Sequence, residues 1–135
     1  MTKILDTNVL IRHFTGQPPE LAHRATEYLS KARPQELLLL DLHVAECVYV
    51  LEGSYPRSKP ETSRLINSLV GFAAIQFERE EIIQRALNLY LDHNMDFGDA
   101  YLVAAAEHLG ISQIVSFDRF DAKLARASVV CRVEP

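Results

Sequence analysis

The sequence is poor in cysteine, glycine and proline, has no long apolar run and carries no excess of positive charge. Cys47 and Cys131 are its two cysteines. They stand far apart in apolar surroundings without the paired spacing of a metal site, which predicts reduced thiols buried as small core residues, not a disulfide scaffold. Five glycines and six prolines in 135 residues argue against a low-complexity or disordered chain. No apolar stretch approaches the roughly 20 residues of a membrane-spanning helix. A strand-like run from Lys3 leaves no space for a secretory leader, so a cytoplasmic protein without membrane association is expected. The formal net charge of -4 argues against nucleic-acid binding by bulk electrostatics and leaves room for a local basic rim. A glycine-rich phosphate loop, a Gly-x-Ser-x-Gly elbow and a His-Glu-x-x-His pair are all missing, which removes support for nucleoside-triphosphate hydrolysis, acyl transfer and zinc-protease chemistry.

What remains is an ordinary globular composition, 48% hydrophobic and 24% charged, sufficient for a single domain over residues 1–135. Apolar Lys3-Ile4-Leu5 leads through Asp6-Thr7-Asn8 into Val9, Leu10 and Phe14 at helical spacing, a strand followed by a helix. After a turn at residues 16–19, Leu21, Ala25, Tyr28, Leu29 and Ala32 mark an amphipathic helix that ends before Pro34. Residues 36–40 form a continuous apolar run of the kind found in a central parallel strand. Asp41 then caps a helix over residues 42–51 that is apolar nearly all round and so predicted to be largely buried, with His43 and Glu46 its strongly polar residues. His43 is read as an ordinary, partly exposed histidine. Residues 53–60 are the most loop-like stretch.

A helix over 61–70 with Leu65, Ile66 and Leu69 inward, a strand at 73–77 and a helix over 78–93 follow. Asp96 and Asp99 open an alanine-rich helix that runs to Leu109. Residues 111–117 make a strand ending at Asp118, residues 119–124 a helical turn, and residues 128–131 a last strand. Alternating strands and helices joined by short connections imply an α/β fold, with a mostly parallel central sheet flanked by helices on both faces. Sites in such sheets gather beyond the carboxyl ends of the strands.

Four acids hold related addresses in this scheme. Asp6 and Asp118 follow strands, Glu46 lies on a helix expected to face inward or to border the core, and Asp99 is carried inward at a helix start. Two of them have a structural reading too, Asp6 as a helix cap and Glu46 as the partner of an arginine, and neighbouring Asp96 can be read as a cap as well. If the sheet brings them to one end, they form an anionic cluster that cannot stay fully ionised without a cation, since like charges raise one another's pKa. Oxygen ligands suit Mg²⁺ or Mn²⁺. Such an ion supports phosphodiester hydrolysis by activating water and neutralising phosphoryl oxygens, with one ion or two.

Four motifs occur in order: Ile4-Leu5-Asp6-Thr7-Asn8-Val9-Leu10, then Ala45-Glu46-Cys47-Val48-Tyr49-Val50-Leu51, then Asp96-Phe97-Gly98-Asp99-Ala100, then Ser116-Phe117-Asp118-Arg119-Phe120-Asp121. In these the sequence resembles the PIN-domain ribonucleases, and among them the VapC-type toxins of toxin-antitoxin pairs, from Ile4 to about Leu124. The resemblance implies metal-binding and catalytic roles for Asp6, Glu46, Asp99 and Asp118, with Asp96 as an auxiliary ligand and Thr7, Asn8 and Ser116 in support. It implies a Mg²⁺- or Mn²⁺-dependent endoribonuclease, often a homodimer, silenced by a small cognate antitoxin. Arg12 and Arg119, with Arg57, Lys59 and Lys123, are candidate RNA contacts. Two rival readings are a PIN-like binding module without catalysis and a signalling receiver domain. The receiver would need Asp41 as phosphoacceptor and a lysine after a late strand, where Asp118-Arg119 stands.

Overall fold

The apolar start of the chain becomes β1 (Lys3–Ile4) in a computed structural model that describes residues 1–53 and 57–135. Two compact units divide the chain, Met1–Glu80 and Glu81–Pro135. Seven helices and five strands occur among the described residues, and every strand pairing is parallel. The chain is therefore α/β, as the alternation of strand and helix patterns predicts.

In the first unit β1 is followed by α1 (Thr7–Thr15), α2 (Pro19–Lys31), β2 (Leu37–Leu39), α3 (Asp41–Gly53), α4 (Lys59–Val70) and β3 (Ile75–Phe77). The strands lie in the order β1-β2-β3, with Lys3 opposite Leu37 and Leu38 opposite Gln76. The apolar run is thus the middle strand, and Leu37 and Leu39 are buried. Helix α1 packs on α2 and α3, and α3 on α4. It ends at Gly16, whose φ of 71° is a left-handed conformation that glycine adopts without strain and that lets its N–H cap the Arg12 carbonyl.

Two helices expose more than their patterns suggest. In α2 the inward stripe is Ala22, Ala25 and Leu29, while Leu21 and Tyr28 are exposed on its flanks. Tyr28 instead accepts a hydrogen bond from Lys3 Nζ at 3.3 Å. In α3 the buried residues Val44, Cys47, Val48 and Leu51 recur at 3, 4 and 7 positions, a single helical stripe. Leu42 and Tyr49 are left exposed, so this helix is half-buried where its composition predicted burial nearly all round. Asp41 is its first residue and not its cap. The loop expected at 53–60 is shorter on its described flanks. Helix α3 reaches Gly53, and Ser58 Oγ accepts the Glu61 N–H at 3.2 Å to cap α4. Residues 54–56 of that expected loop lie outside the described residues.

The second unit holds α5 (Glu80–Asp92) from its second residue onward, α6 (Phe97–Leu109), β4 (Gln113–Val115), α7 (Asp121–Ala127) and β5 (Cys131–Val133). Strands β4 and β5 pair in parallel, Gln113 opposite Cys131. Ile82, Ile83, Ala86, Leu89 and Tyr90 of α5 are buried, and the Tyr90 ring meets Phe97 edge-on with centroids 5.9 Å apart. Arg85 ties this unit together: Nε and Nη2 donate to the two oxygens of Glu107 at 2.8 and 3.1 Å, and Nη2 donates to the Ala127 carbonyl at 2.7 Å. Ser128 Oγ adds a bond to Glu107 at 2.6 Å. The last strand begins at Cys131, later than the expected 128–131, because Ser128 is drawn into this network. Cys131 is exposed at the start of this strand and not a core residue, whereas Cys47 is buried. Among the described residues no helix is long and apolar enough to cross a membrane.

Candidate metal centre

Asp6 follows β1 and takes the N-cap position of α1 in extended conformation, yet its side chain makes no capping hydrogen bond. A helix-start aspartate ordinarily spends its carboxylate on the first-turn N–H groups. Here the side chain is 64% exposed and Oδ1 lies 3.8 Å from His43 Nε2. Thr7, the next residue, is buried. Its hydroxyl lies 3.0 Å from Glu46 Oε2 and 3.3 Å from the His43 carbonyl, so its one proton holds α1 against this stretch of α3.

Glu46 is exposed, where an inward position or one at the edge of the core was expected. Successive residues turn by about 100° around a helix, so Glu46, one position before buried Cys47, stands off the inner stripe. His43, three residues earlier, shares its side of the helix. Donor atoms of Asp6, His43 and Glu46 all lie within 4.8 Å of one another. Asp6, Thr7, Asn8, Ile11, Arg12, Glu46 and Val50 line a cleft of about 350 Å³ beside them. Two carboxylates and an imidazole, with one carboxylate uncommitted to its helix and another steadied by a hydroxyl, are a donor set that fits a divalent cation. The acid pair was legible in the motifs. His43 was not singled out as a ligand, although its spacing of three from Glu46 was the available signal.

In the second unit Asp96 does cap its helix: Oδ2 accepts the Gly98 N–H at 3.1 Å. Asp99, in the first turn of α6, is half-buried and not carried fully inward. Its pKa is raised above the ordinary carboxylate value, first by burial and then by the negative charges of Asp96 and Asp118, with Lys123 acting in the opposite sense. Lys123 Nζ donates to the Asn94 carbonyl at 2.6 Å. Asp118 is exposed, and its N–H donates to Ser116 Oγ at 3.0 Å. The Ser116 carbonyl accepts from Arg132 Nη1 at 2.7 Å, and Arg119 is exposed. Asp41, which a receiver domain would phosphorylate, is buried with its N–H on Glu78 Oε1 at 3.0 Å.

Comparison with known proteins matches the model of one family, the PIN domain, to residues 3–127. A relative from Aquifex aeolicus (strain VF5), described as "VapC ribonuclease", is 27% identical over 129 residues, covering 94% of this chain and 95% of that protein. A solved structure described as "Toxin-antitoxin complex from Klebsiella pneumoniae" is 20% identical, covers 89% of each chain and superposes with a TM-score of 0.40. The family match takes in both units and all four motifs, and the chain belongs to the PIN domain family.

Proposed function

We propose that this chain is an endoribonuclease that hydrolyses RNA phosphodiester bonds with Mg²⁺ or Mn²⁺, and that it serves as the toxin of a toxin-antitoxin pair. Membership of the PIN family and the likeness to a protein described as a VapC ribonuclease support the reading. The observation that carries it is the convergence of Asp6 and Glu46, with a helix-start carboxylate making no capping bond.

Asp6, Glu46, Asp99 and Asp118 are the proposed metal-binding and catalytic residues, with Asp96 auxiliary because it already caps α6. Thr7 fixes the rotamer of Glu46. Asn8 and Ser116 are supporting polar groups, and Arg12 and Arg119 meet the RNA backbone. A bound divalent ion would lower the pKa of a water molecule and neutralise charge on the phosphoryl oxygens. The raised pKa of Asp99 fits a carboxylate group built to work beside a cation, since a positive neighbour relieves the repulsion from Asp96 and Asp118. In the reaction the water oxygen bonds to phosphorus, the ester P–O bond breaks, and a proton ends on the departing oxygen.

The same reading makes residues 1–135 one PIN domain in the cytoplasm, a homodimer with no membrane association, held inactive by a small antitoxin. Cleavage of total cellular RNA by purified protein, with Mg²⁺ or Mn²⁺ and with chelator, tests the activity. Cutting that requires metal and disappears in Asp99→Asn is expected. No cutting by protein that binds metal would leave a binding module instead. Impaired growth on expression alone, relieved by a small DNA-binding protein encoded beside the gene, tests the toxin role.

A further inference from the structure

We infer that His43 is a metal ligand, giving the Asp6–Glu46 centre a nitrogen donor and a preference for a first-row transition dication over Mg²⁺. The inference rests on the metal-dependent reading above and adds to it the identity of the ion.

Three observations converge on the ring. His43 Nε2 faces Asp6 Oδ1 at 3.8 Å, and donor atoms of His43, Asp6 and Glu46 lie within 4.8 Å of one another. Two atoms that each sit about 2.1 Å from one ion can be at most ~4.2 Å apart. The closest pair already meets that limit, and a small rotation of exposed Glu46 brings in the third. Second, the 3.8 Å contact is too long for a hydrogen bond, so Asp6 and His43 are not satisfying each other. An imidazolium–carboxylate pair at that distance, with the aspartate 64% exposed, is a weak solvent-screened contact. Third, the His43 side chain is only 17% exposed, and its Nδ1 is buried with no hydrogen-bond partner among the described residues. No structural hydrogen bond claims the ring from its far side. The ring presents Nε2 toward Asp6 Oδ1, the nitrogen available to a metal ion.

The surroundings hold this arrangement in place. The one proton of the Thr7 hydroxyl is in reach of Glu46 Oε2 and of the His43 carbonyl, so the first turn of α1 is tethered to the turn of α3 that carries both donors. Cys47 and Val44, buried beside His43 and Glu46 on α3, prevent the helix from rotating the pair away. Oxygen donors alone suit Mg²⁺, which dehydrates reluctantly and rarely takes nitrogen. One imidazole tilts such a site toward first-row transition ions, which accept nitrogen and oxygen together.

The test is metal binding to the intact protein. Mn²⁺ is titrated by loss of its free electron paramagnetic resonance signal, Mg²⁺ by competition, in wild type and His43→Gln, with thermal melts to verify folding. Wild type should bind Mn²⁺ at least about tenfold more tightly than Mg²⁺, and His43→Gln should lose about tenfold for Mn²⁺ and much less for Mg²⁺. Spin-echo spectra of Mn²⁺-loaded wild type should also carry the coupling of a directly bound imidazole nitrogen, a readout that needs no variant. Absence of that coupling in wild type, or equal effects of the substitution on both ions, overturns the inference. Binding that behaves as expected in a protein that cuts no RNA would instead sink the ribonuclease reading and leave His43 as a ligand.

Discussion

The Thr7 hydroxyl on α1 lies 3.0 Å from Glu46 Oε2 on α3, joining two helices whose sequences are 39 residues apart. Thr7 is buried and Glu46 exposed, so this part-buried bond holds the glutamate against α1, and its loss releases the side chain. Thr7→Val keeps the volume and removes the hydroxyl. The expected result is a stability loss of about 1 kcal/mol and a fall in Mn²⁺ affinity of at least about tenfold. Thr7→Ser should restore the affinity. Calorimetric titration with a parallel melt measures both, and unchanged affinity in Thr7→Val would remove Thr7 from the positioning of Glu46.

Asp6 and Asp96 occupy the same formal position at two helix starts and differ in what they do there. Asp96 accepts the Gly98 N–H, while Asp6 makes no such bond. In metal-free protein Asp96→Ala should cost about 1 kcal/mol, a drop in Tm of about 3 °C for a chain of this size. Asp6→Ala should stay within about 0.5 kcal/mol of wild type. Metal affinity should respond in the opposite order. Equal destabilisation by the two substitutions would contradict the assignment.

The two shifted carboxyl groups of the second unit predict opposite responses to pH. Asp99 has a raised pKa, from burial first and then from Asp96 and Asp118. Below the ordinary carboxylate range it is protonated folded or unfolded and contributes nothing. As pH rises the unfolded chain releases that proton first, so Asp99 costs stability, fully so above its raised folded-state value. With chelator present, Asp99→Asn should therefore melt above wild type at pH 7 and level with it in strong acid. Glu107 has a lowered pKa, chiefly through its hydrogen bonds from Arg85. Its contribution is present above the ordinary carboxylate range and is lost as pH falls through the lowered value. Arg85→Ala should cost about 2 kcal/mol at pH 7, with the gap to wild type closing on acidification. Melts of the three proteins across pH check both signs.

Burial pushes the Cys47 thiol up to about 12, whereas Cys131 is exposed. Since the thiolate is the reactive species, a disulfide reagent at pH 8 should consume one equivalent rapidly in native protein and a second on unfolding. Two rapid equivalents would place Cys47 outside the core.

Much of the scaffold was legible because its signals are local. The apolar run at 36–40 became the middle strand, and Gly16 and Gly110 end helices in left-handed conformations. The motifs placed Asp6 at the end of a strand and Asp99 in a first helical turn, where the structure has them. What failed depends on which side of a helix meets the core. The apolar composition of α3 concealed a narrow stripe, so the helix was expected to be buried nearly all round, and Glu46, expected inward or at the edge of the core, is exposed. Cys131 was read as core because its neighbours Val129 and Val130 are apolar, but Val129 is 91% exposed. Ser128, just before it, bonds Glu107 across 21 residues of sequence, a partner that no local pattern encodes.

The N–H of Lys3 bonds the Glu36 carbonyl and that of Leu5 the Leu38 carbonyl, fastening β1 beside β2. Those two bonds act as a ruler for everything that follows. Each residue of a strand advances about 3.3 Å and reverses the direction of its side chain, so the pairing fixes both the height and the facing of the carboxylate that comes directly after Leu5. One residue added before Lys3 leaves this measure untouched. One added between Leu5 and Asp6 shifts Asp6 by a full step and turns it toward the opposite side.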